Sequence, residues 1–307
     1  MSSNSKPLHI PLNKKKTSIS SIAWAYFLIA PTIIGLIALN IYPFFDTIRL
    51  SMYKSQGLGP AKYVGLDNFR TLLADDIIWQ ATGNTLLFMV MTVPVGVIIS
   101  LVLAALLNNK IRGRDIYRGI YFLPMVVAPA AVAMVWKWIF NAENGILNLM
   151  LKALGINGPN WLSDPNTALL SCAIICIWSA VGYDLVMILS GLQSISRSYY
   201  EAAEIDGANS IQTFWNITVP LVSPTLFFVV LMRAMASLKQ FDTIYLLIKA
   251  NNPAYKRGVT LMTLFYREAF EKFNKGYAST IVLFSFVLIA IMTAIQFIAE
   301  KKLVHYE

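Results

Sequence analysis

The chain is poor in the side chains on which most enzymes depend. Its 307 residues include only two histidines and two cysteines. His9 and His305 lie near the two ends, so the body of the chain has no imidazole to serve as a general base or metal ligand. Cys172 and Cys176 are four residues apart in an apolar run, a spacing typical of small packing residues on one helix face. These features argue against most hydrolases and metalloenzymes.

Charged residues are also scarce, at 13% of the chain, whereas soluble globular proteins have about a quarter. Hydrophobic residues make up 57%, and the mean hydropathy is +0.59. A soluble fold could not bury this much apolar surface, so the composition indicates a protein in contact with membrane lipid. The net charge of +9 is spread over the ends of apolar stretches and not clustered with aromatic residues, which argues against a nucleic-acid partner.

Six apolar segments are long enough to cross a bilayer as helices, which takes about 17–25 residues. Each must be helical, because lipid offers no hydrogen-bond partner to free backbone groups. The segments are 22–44, 84–107, 119–140, 167–192, 217–238 and 278–299. We therefore predict an all-α polytopic membrane protein with six transmembrane helices. Residues 22–299 form its membrane domain, between tails at 1–21 and 300–307.

The distribution of basic residues predicts which side of the membrane each connection faces. The shortest connection, 108–118, contains four basic residues and one acid. Short basic loops remain in the cytoplasm, so we predict that this loop and both termini are cytoplasmic. The first apolar segment follows Lys14, Lys15 and Lys16 and has no small-residue cleavage pattern, so we expect it to be retained as a span.

The connection 193–216 has the pattern of a short amphipathic helix broken by a glycine. It contains the run Glu201-Ala202-Ala203-Glu204-Ile205-Asp206-Gly207-Ala208, and Phe214, Ile217 and Pro220 follow. Tyrosines and alanines form an apolar face beside three acids, and Gly207 can adopt the positive φ that ends a helix. Such an element fits a groove on a partner protein. The alternative is an amphipathic helix lying at the membrane surface.

The order of residues in this loop resembles the cytoplasmic Glu-Ala-Ala loop of binding-protein-dependent (ABC) importer permeases, most of all their maltose-type carbohydrate-uptake branch. The chain departs from that pattern at Ser196, where the family usually has proline. The resemblance extends along nearly the whole chain. Other matching motifs are Tyr63-Val64-Gly65-Leu66-Asp67-Asn68-Phe69, Asn84-Thr85, Phe122-Leu123-Pro124, Gly191-Leu192-Gln193-Ser194-Ile195 and Gly276-Tyr277-Ala278.

This resemblance implies a fold like that of type I ABC importer permeases and a loop that inserts into a cleft on a cytoplasmic ATPase, where Glu201 pairs with a basic residue. The expected coupling residues are Glu201, Ala202, Ala203, Asp206, Gly207, Ala208, Phe214 and Pro220. The chain has no Gly-x-x-x-x-Gly-Lys-Ser/Thr phosphate-binding loop, so ATP hydrolysis must be supplied by another subunit.

The resemblance also implies the partners. They are a second homologous permease, two ATP-binding subunits that use ATP and Mg, and an extracytoplasmic solute-binding protein, assembled in a bacterial-type inner membrane. This chain itself is expected to be a transport subunit and no enzyme, and to bind no cofactor or metal.

Substrate contacts are expected at polar groups inside the membrane, since these are costly in lipid and usually face a cavity. We expect one of three roles for Asp184 and Arg233. They form a buried pair that holds two helices, or one of them lines the solute path, or one contacts the second permease. Aromatic faces can stack on a sugar ring or simply pack, and amides can bind hydroxyls. The candidate path residues are Asp184, Tyr183, Trp178, Arg233, Asn84 and Gln240.

The solute expected from the resemblance is a sugar, an oligosaccharide or a polyol. The positive charge of Arg233 is also compatible with a glycerophosphate-type anion. Two other functional classes compete with the importer. A secondary transporter would need several membrane carboxylates and an internal repeat, but Asp184 stands alone and no repeat is evident. A membrane enzyme or scaffold lacks a recognisable catalytic group. We therefore favour the importer subunit.

Overall fold

The computed structural model describes residues 19–55, 59–109 and 112–303. Residues 1–18 of the predicted N-terminal tail and 304–307 of the predicted C-terminal tail lie outside the described residues. The chain divides into two compact units, Met1–Arg49 and Leu50–Glu307.

The first unit is built from one apolar helical stretch. Helix α1 covers Ile19–Leu36, a π-helical turn covers Ile37–Ile41, and helix α2 covers Tyr42–Ser51. Pro43 has no backbone N–H, so the α-helical hydrogen bond to Leu39 cannot form, and the wider turn lies at that place. The stretch Ala23–Ser51 is long and apolar enough to cross a membrane, and it includes most of the predicted first span.

The second unit begins with a two-stranded antiparallel hairpin and continues as helices. Strand β1 covers Tyr53–Lys54 and β2 covers Lys62–Tyr63, with Tyr53 opposite Tyr63. The helices are α3 Asp67–Ala74, α4 Asp76–Asn108, α5 Arg114–Val126, α6 Pro129–Ile139, α7 Ile146–Ala153, α8 Ala168–Ser194, α9 Arg197–Ile205, α10 Ser210–Thr213, α11 Val219–Leu238, α12 Asp242–Leu247, α13 Tyr255–Gly258, α14 Leu261–Tyr266 and α15 Lys275–Leu303. Two further π-helical segments cover Phe214–Thr218 and Arg267–Glu271.

The long helices α4, α8 and α11 form the centre of this unit. Their facing residues make one buried cluster, in which Leu185, Ile188 and Leu189 of α8 pack with Val97 of α4 and Val229 of α11. Lipid tails are as apolar as these side chains, so helix association in a membrane depends on close packing rather than on exclusion of water. The shape of this interface therefore determines which residues of each helix face inward.

The third predicted span, 119–140, is not one continuous helix. Helices α5 and α6 meet at a bend of 99°, with Val127 and Ala128 in extended conformations between them. The physical reason is Pro129, because a proline disfavours helical geometry in the residue before it. Helix α5 lies so close to α8 that a Cβ atom at Gly182 would stand 1.9 Å from the carbonyl oxygen of Tyr121.

Five helical stretches are individually long and apolar enough to span a membrane, and the bent α5–α6 pair brings the number to six if it counts as one span. Two of the predicted boundaries differ from the structure. The stretch that contains the fifth predicted span runs over Ser210–Leu247, and α15 continues to Leu303, so residues 300–303 of the predicted tail are helical.

Candidate functional site

The connection between α8 and α11 contains two short helices joined at a glycine. Helix α9 ends in a Schellman motif, in which the amide of Ala208 donates to the carbonyl of Ala203 at 2.9 Å and that of Gly207 to Glu204 at 3.1 Å. Gly207 has φ +76°, which a side chain would disfavour. The positive φ expected from the sequence is therefore present, and it sets the angle at which α10 leaves α9.

Side-chain caps fix the starts of both short helices. The Asn209 side chain accepts hydrogen bonds from the amides of Ile211 and Gln212, and the Gln212 side chain accepts one from the amide of Asn209, which completes a capping box. Ser196 is the N-cap of α9, and its hydroxyl oxygen accepts from the Ser198 amide at 3.4 Å. Ser196 thus starts the helix with a side-chain cap.

The outer surface of α9 and α10 combines an acid with bare apolar side chains. Glu201 and Ala202 are exposed, and no described residue forms an ion pair with Glu201. Ile205 is 86% exposed and Ile211 72% exposed, whereas Ala203 is buried. The charged group of Glu201 and the side chains of Ile205 and Ile211 are therefore all accessible to another molecule.

The inner surface of this loop packs on the ends of the long helices. Phe214 is half-buried and Pro220 lies in the first turn of α11. The hydroxyls of Tyr200 and Thr218 are 3.3 Å apart, which ties α9 to the π-helical segment before α11. A shift of α9 would therefore be transmitted to α11 through this contact. Asp206, the C-cap residue of α9, is exposed.

A cavity of about 270 Å³ lies within the helical bundle, bounded by α4, α5, α6, α8, α11 and α12. Of the predicted path residues, Arg233 and Gln240 line it. The polar and charged residues in its lining are Thr92, Ser179, Arg233, Ser237, Gln240, Asp242 and Thr243. Its walls therefore combine an amide, several hydroxyls and charged groups with apolar surface from the prolines and valines of α5 and α6.

Asp184 and Arg233 form a buried ion pair between α8 and α11. The Arg233 Nε lies 2.7 Å from Asp184 Oδ2, and the side chains are 13% and 2% exposed, respectively. Of the interpretations left open by the sequence, the structure favours the pair that holds two helices. Arg233 also lines the cavity, whereas Asp184 does not. Arg233 can therefore both join the two helices and face a solute.

The structure does not bring the remaining predicted path residues to this cavity. The Asn84 amide donates to the carbonyls of Val259 at 2.8 Å and Lys256 at 3.0 Å, and it accepts from Gln80, so its hydrogen bonds hold a loop to α4. Trp178 lines a separate, mostly apolar cleft between α4, α5 and α8, edge-on to Trp136 at 5.6 Å. Tyr183 is partly exposed and absent from the cavity lining. Asn84, Trp178 and Tyr183 therefore lie outside the lining of this cavity.

Several cavity residues were not among the candidates. Ser179 and Ser237 are small polar residues of the kind that often allow membrane helices to approach closely. Ser237 does contact the Thr92 hydroxyl at 2.9 Å, joining α11 to α4, yet both residues also face the cavity. Asp242 also lines the cavity. Its position just beyond an apolar span, two residues after Gln240, is the feature of the sequence that could have indicated this. Among the described residues, no group of three or more His, Cys, Asp or Glu side chains is arranged to hold a metal ion.

A bundle of membrane-length helices around a cavity with polar and charged groups in its walls, and an exposed amphipathic loop at one end, is consistent with the transmembrane subunit of a transporter. Residues 78–305 match the family described as "Binding-protein-dependent transport system inner membrane component". The chain belongs to this family. It is therefore a multi-pass inner-membrane permease subunit of an ABC importer, and the family consists of transport components rather than enzymes.

Named relatives and a solved structure agree with this assignment. The chain is 32% identical to the probable ABC transporter permease protein YesP of Bacillus subtilis (strain 168), over 96% of both. It is 32% identical to the lactose transport system permease protein LacF of Rhizobium radiobacter, over 90% of this chain and 94% of that protein. It is 32% identical to the sn-glycerol-3-phosphate transport system permease protein UgpA of Agrobacterium fabrum (strain C58 / ATCC 33970), over 92% and 96%.

The fold resembles that of a bacterial ABC transporter involved in the import of the acidic polysaccharide alginate. The TM-score is 0.83 at 23% sequence identity, over 94% of this chain and 98% of that chain. The fold also resembles that of a bacterial alginate ABC transporter in complex with an alginate pentasaccharide-bound periplasmic protein, with a TM-score of 0.83 at 23% identity over 92% of this chain and 96% of that chain. The type I ABC importer permease fold expected from the sequence is confirmed.

Proposed function

We propose that this permease forms half of the translocation path of an importer for a sugar or oligosaccharide, and that it couples to ATPase subunits through the 193–216 loop. The exposed surface of α9 and α10 carries the proposal. Glu201 is an acid without an ion-pair partner among the described residues, beside the bare side chains of Ile205 and Ile211. A groove on the partner protein with a basic residue at its rim would pair with the Glu201 charge and bury the two isoleucine side chains.

The proposed assembly contains this chain, a second homologous permease, two ATP-binding subunits and an extracytoplasmic solute-binding protein. The ATP-binding subunits supply the ATP and Mg chemistry, which is consistent with the lack of a phosphate-binding loop in this sequence. The second permease completes the cavity. The family description, which names a binding-protein-dependent system, supports the solute-binding protein.

In the proposed orientation both termini and the 193–216 loop face the cytoplasm. The basic residues of the short 108–118 connection support it. The position of the loop supports it as well, since α9 and α10 pack beside the end of α4 that leads into that connection, including Leu106 and Asn108. The two cytoplasmic connections therefore lie at the same end of the bundle.

The charges around the cavity favour an uncharged, polyhydroxylated solute. Relatives of similar identity are named for lactose and for sn-glycerol 3-phosphate, so the names alone do not separate the two classes. In this chain the Arg233 charge is paired with Asp184, and a second carboxylate, Asp242, faces the cavity. An anion would gain little from such walls, whereas Gln240 and the hydroxyls of Thr92 and Ser237 suit sugar hydroxyls.

The test is uptake into proteoliposomes that contain the full permease–ATPase complex, with the cognate binding protein outside and ATP inside. We expect accumulation of a labelled neutral sugar, with lactose and maltose as probes, only when ATP and the binding protein are both present. Accumulation of labelled glycerol 3-phosphate alone would contradict the solute class. Uptake without ATP or without the binding protein would contradict the proposed mechanism.

The same assay tests the coupling loop. Glu201→Lys places a like charge against the expected basic partner, so uptake should be abolished while membrane insertion stays normal. Asp115→Lys is the matched control, since Asp115 is an exposed acid in the other predicted cytoplasmic connection. This control should retain more than about half of the uptake, as expected for an exposed surface charge. Full uptake by Glu201→Lys would refute the docking role.

A further inference from the structure

Four aromatic rings form a continuous cluster just beyond the end of α11. Phe241 stacks on Tyr245 with ring centres 5.0 Å apart and planes inclined by 22°. Tyr266 lies 4.7 Å from both of these rings and 4.9 Å from Phe270. We call these four residues the aromatic cluster. Phe241 and Tyr245 come from the N-cap and the body of α12, and Tyr266 and Phe270 come from the end of α14 and the π-helical segment that follows it.

The cluster has a polar rim built from the same segments. The Tyr245 hydroxyl donates to Glu271 Oε1 at 3.2 Å, and the Arg267 Nε donates to Glu271 Oε2 at 3.3 Å. Arg267 also donates to the Tyr255 hydroxyl, and its guanidinium lies 4.7 Å from the centre of that ring. Phe270 and Glu271 belong to the π-helical turn Arg267–Glu271, a local geometry that often occurs at functional sites.

The rings are open to the outside at one edge. Phe270 is 58% exposed, and Phe241, Tyr245 and Tyr266 are half-buried. Phe270 therefore presents a ring face beyond the cluster, while the other three rings are partly covered by their neighbours. Apolar ring faces beside a carboxylate, a guanidinium and hydroxyl groups match the two sides of a pyranose, which has apolar C–H faces and an equatorial belt of hydroxyls.

The cluster adjoins the cavity described above. Phe241 lies between Gln240 and Asp242 in the chain, and both of these neighbours line the cavity. The cluster is at the opposite end of α11 from the coupling loop, since α11 begins beside that loop and ends at Leu238. In the proposed orientation it therefore lies at the extracytoplasmic mouth of the cavity.

We propose that the aromatic cluster is a second carbohydrate subsite, on which one ring of an oligosaccharide stacks while the rest of the solute extends toward Gln240 in the cavity. This inference rests on the proposed function, since it assumes a carbohydrate solute. Phe270 supplies the exposed stacking face, and the Glu271 carboxylate and Tyr245 hydroxyl bind hydroxyl groups at its edge. The site selects for chain length, because only a solute longer than the cavity reaches both parts.

The test measures sugar binding directly and separately from transport. The full complex in lipid nanodiscs, without binding protein, is titrated with maltotetraose and with maltose, and binding is followed by saturation-transfer difference NMR. We expect Phe270→Ala to raise the apparent Kd for maltotetraose about fivefold, the loss of one aromatic contact, with a smaller change for maltose. Phe270→Trp keeps a stacking face and should retain wild-type binding.

Phe273→Ala is the matched control, since Phe273 is equally exposed in the same segment and is not part of the cluster. It should leave both Kd values unchanged. Thermal unfolding of each variant complex reports on packing, and Phe270→Ala should unfold at the wild-type temperature because its ring is mostly exposed.

Three outcomes would overturn the inference. The first is the absence of any wild-type signal with either sugar, and the second is an equal Kd for wild type and Phe270→Ala. The third is a weaker affinity of Phe270→Ala for the solute-binding protein with unchanged sugar binding, which would make the cluster a protein-docking surface. The proposed function is judged independently by ATP-dependent uptake, so its failure is distinguishable from failure of this subsite.

Discussion

At the scale of single residues, Arg233 shows how one side chain can join two helices and border a cavity. Its ion pair with Asp184 is almost fully buried between α8 and α11. Removing one member of a buried pair leaves an uncompensated charge, which costs about 3–5 kcal/mol in proteins. Replacing both members with apolar residues of similar volume is often nearly neutral. The two kinds of substitution therefore separate the structural role from the role at the cavity.

We predict that Asp184→Ala strongly lowers the thermal stability of the purified complex, and that the double variant Asp184→Leu/Arg233→Met restores most of it. Asp184→Asn should be milder, because the amide keeps the volume of the side chain and a polar group beside Arg233. The double variant should nevertheless transport poorly, since Arg233 also lines the cavity. Thermal unfolding measures the predicted loss and recovery of stability, and proteoliposome uptake measures the predicted loss of transport. Wild-type stability of Asp184→Ala would show that the pair holds nothing together.

At the scale of secondary structure, the α9–Gly207–α10 element depends on one backbone conformation. The φ of +76° at Gly207 places the following residues where Asn209 can cap α10. An ordinary side chain in this left-handed region costs about 1–2 kcal/mol, and a β-branched one is more strained still. The expected consequence is a misdirected α10 and a contact surface that no longer fits its partner.

We predict that Gly207→Val reduces uptake by about tenfold or more while the protein still inserts into the membrane, because a strain of at least about 1.4 kcal/mol acts on the docking geometry. Gly207→Asn is the matched control, since asparagine tolerates positive φ, and it should remain close to wild type. Uptake and solute-stimulated ATP hydrolysis are measured together. Equal uptake by the valine and asparagine variants would mean that this turn does not set the docking geometry.

At the scale of the whole molecule, the orientation in the membrane decides which end meets the ATPase. The native cysteines make this testable, because Cys172 is buried and Cys176 half-buried in α8. A membrane-impermeant maleimide should label Asn251→Cys on intact cells, since residue 251 lies in the predicted outer connection. Gln193→Cys should react only after the membrane is opened. Both positions are exposed. The reverse labelling pattern would invert the proposed topology.

Much of the fold could be predicted from local properties of the sequence. Long apolar runs specify membrane helices wherever they occur, because lipid forces backbone groups to pair within the segment. The termination of α9 at Gly207 is equally local, since it depends on the freedom of one glycine. The bend in the third predicted span, 119–140, also has a local cause. Pro129 disfavours helical geometry at Ala128, so the break could have been predicted from the sequence.

The lining of the cavity could not be predicted in this way, because the direction in which a helical residue faces depends on how the helix packs. Trp178 and Ser179 are adjacent in α8, yet one lines the apolar cleft and the other the cavity. Successive residues on a helix point about 100° apart, and nothing in the local sequence states which direction is inward.

The sequence by itself therefore determined the membrane class, the helical spans and the turn at Gly207. Only the tertiary structure decided that Arg233 pairs with Asp184 beside the cavity, that Asn84 holds a loop, and that Tyr266 packs on Phe241 and Tyr245, since these contacts join segments that are apart in the chain.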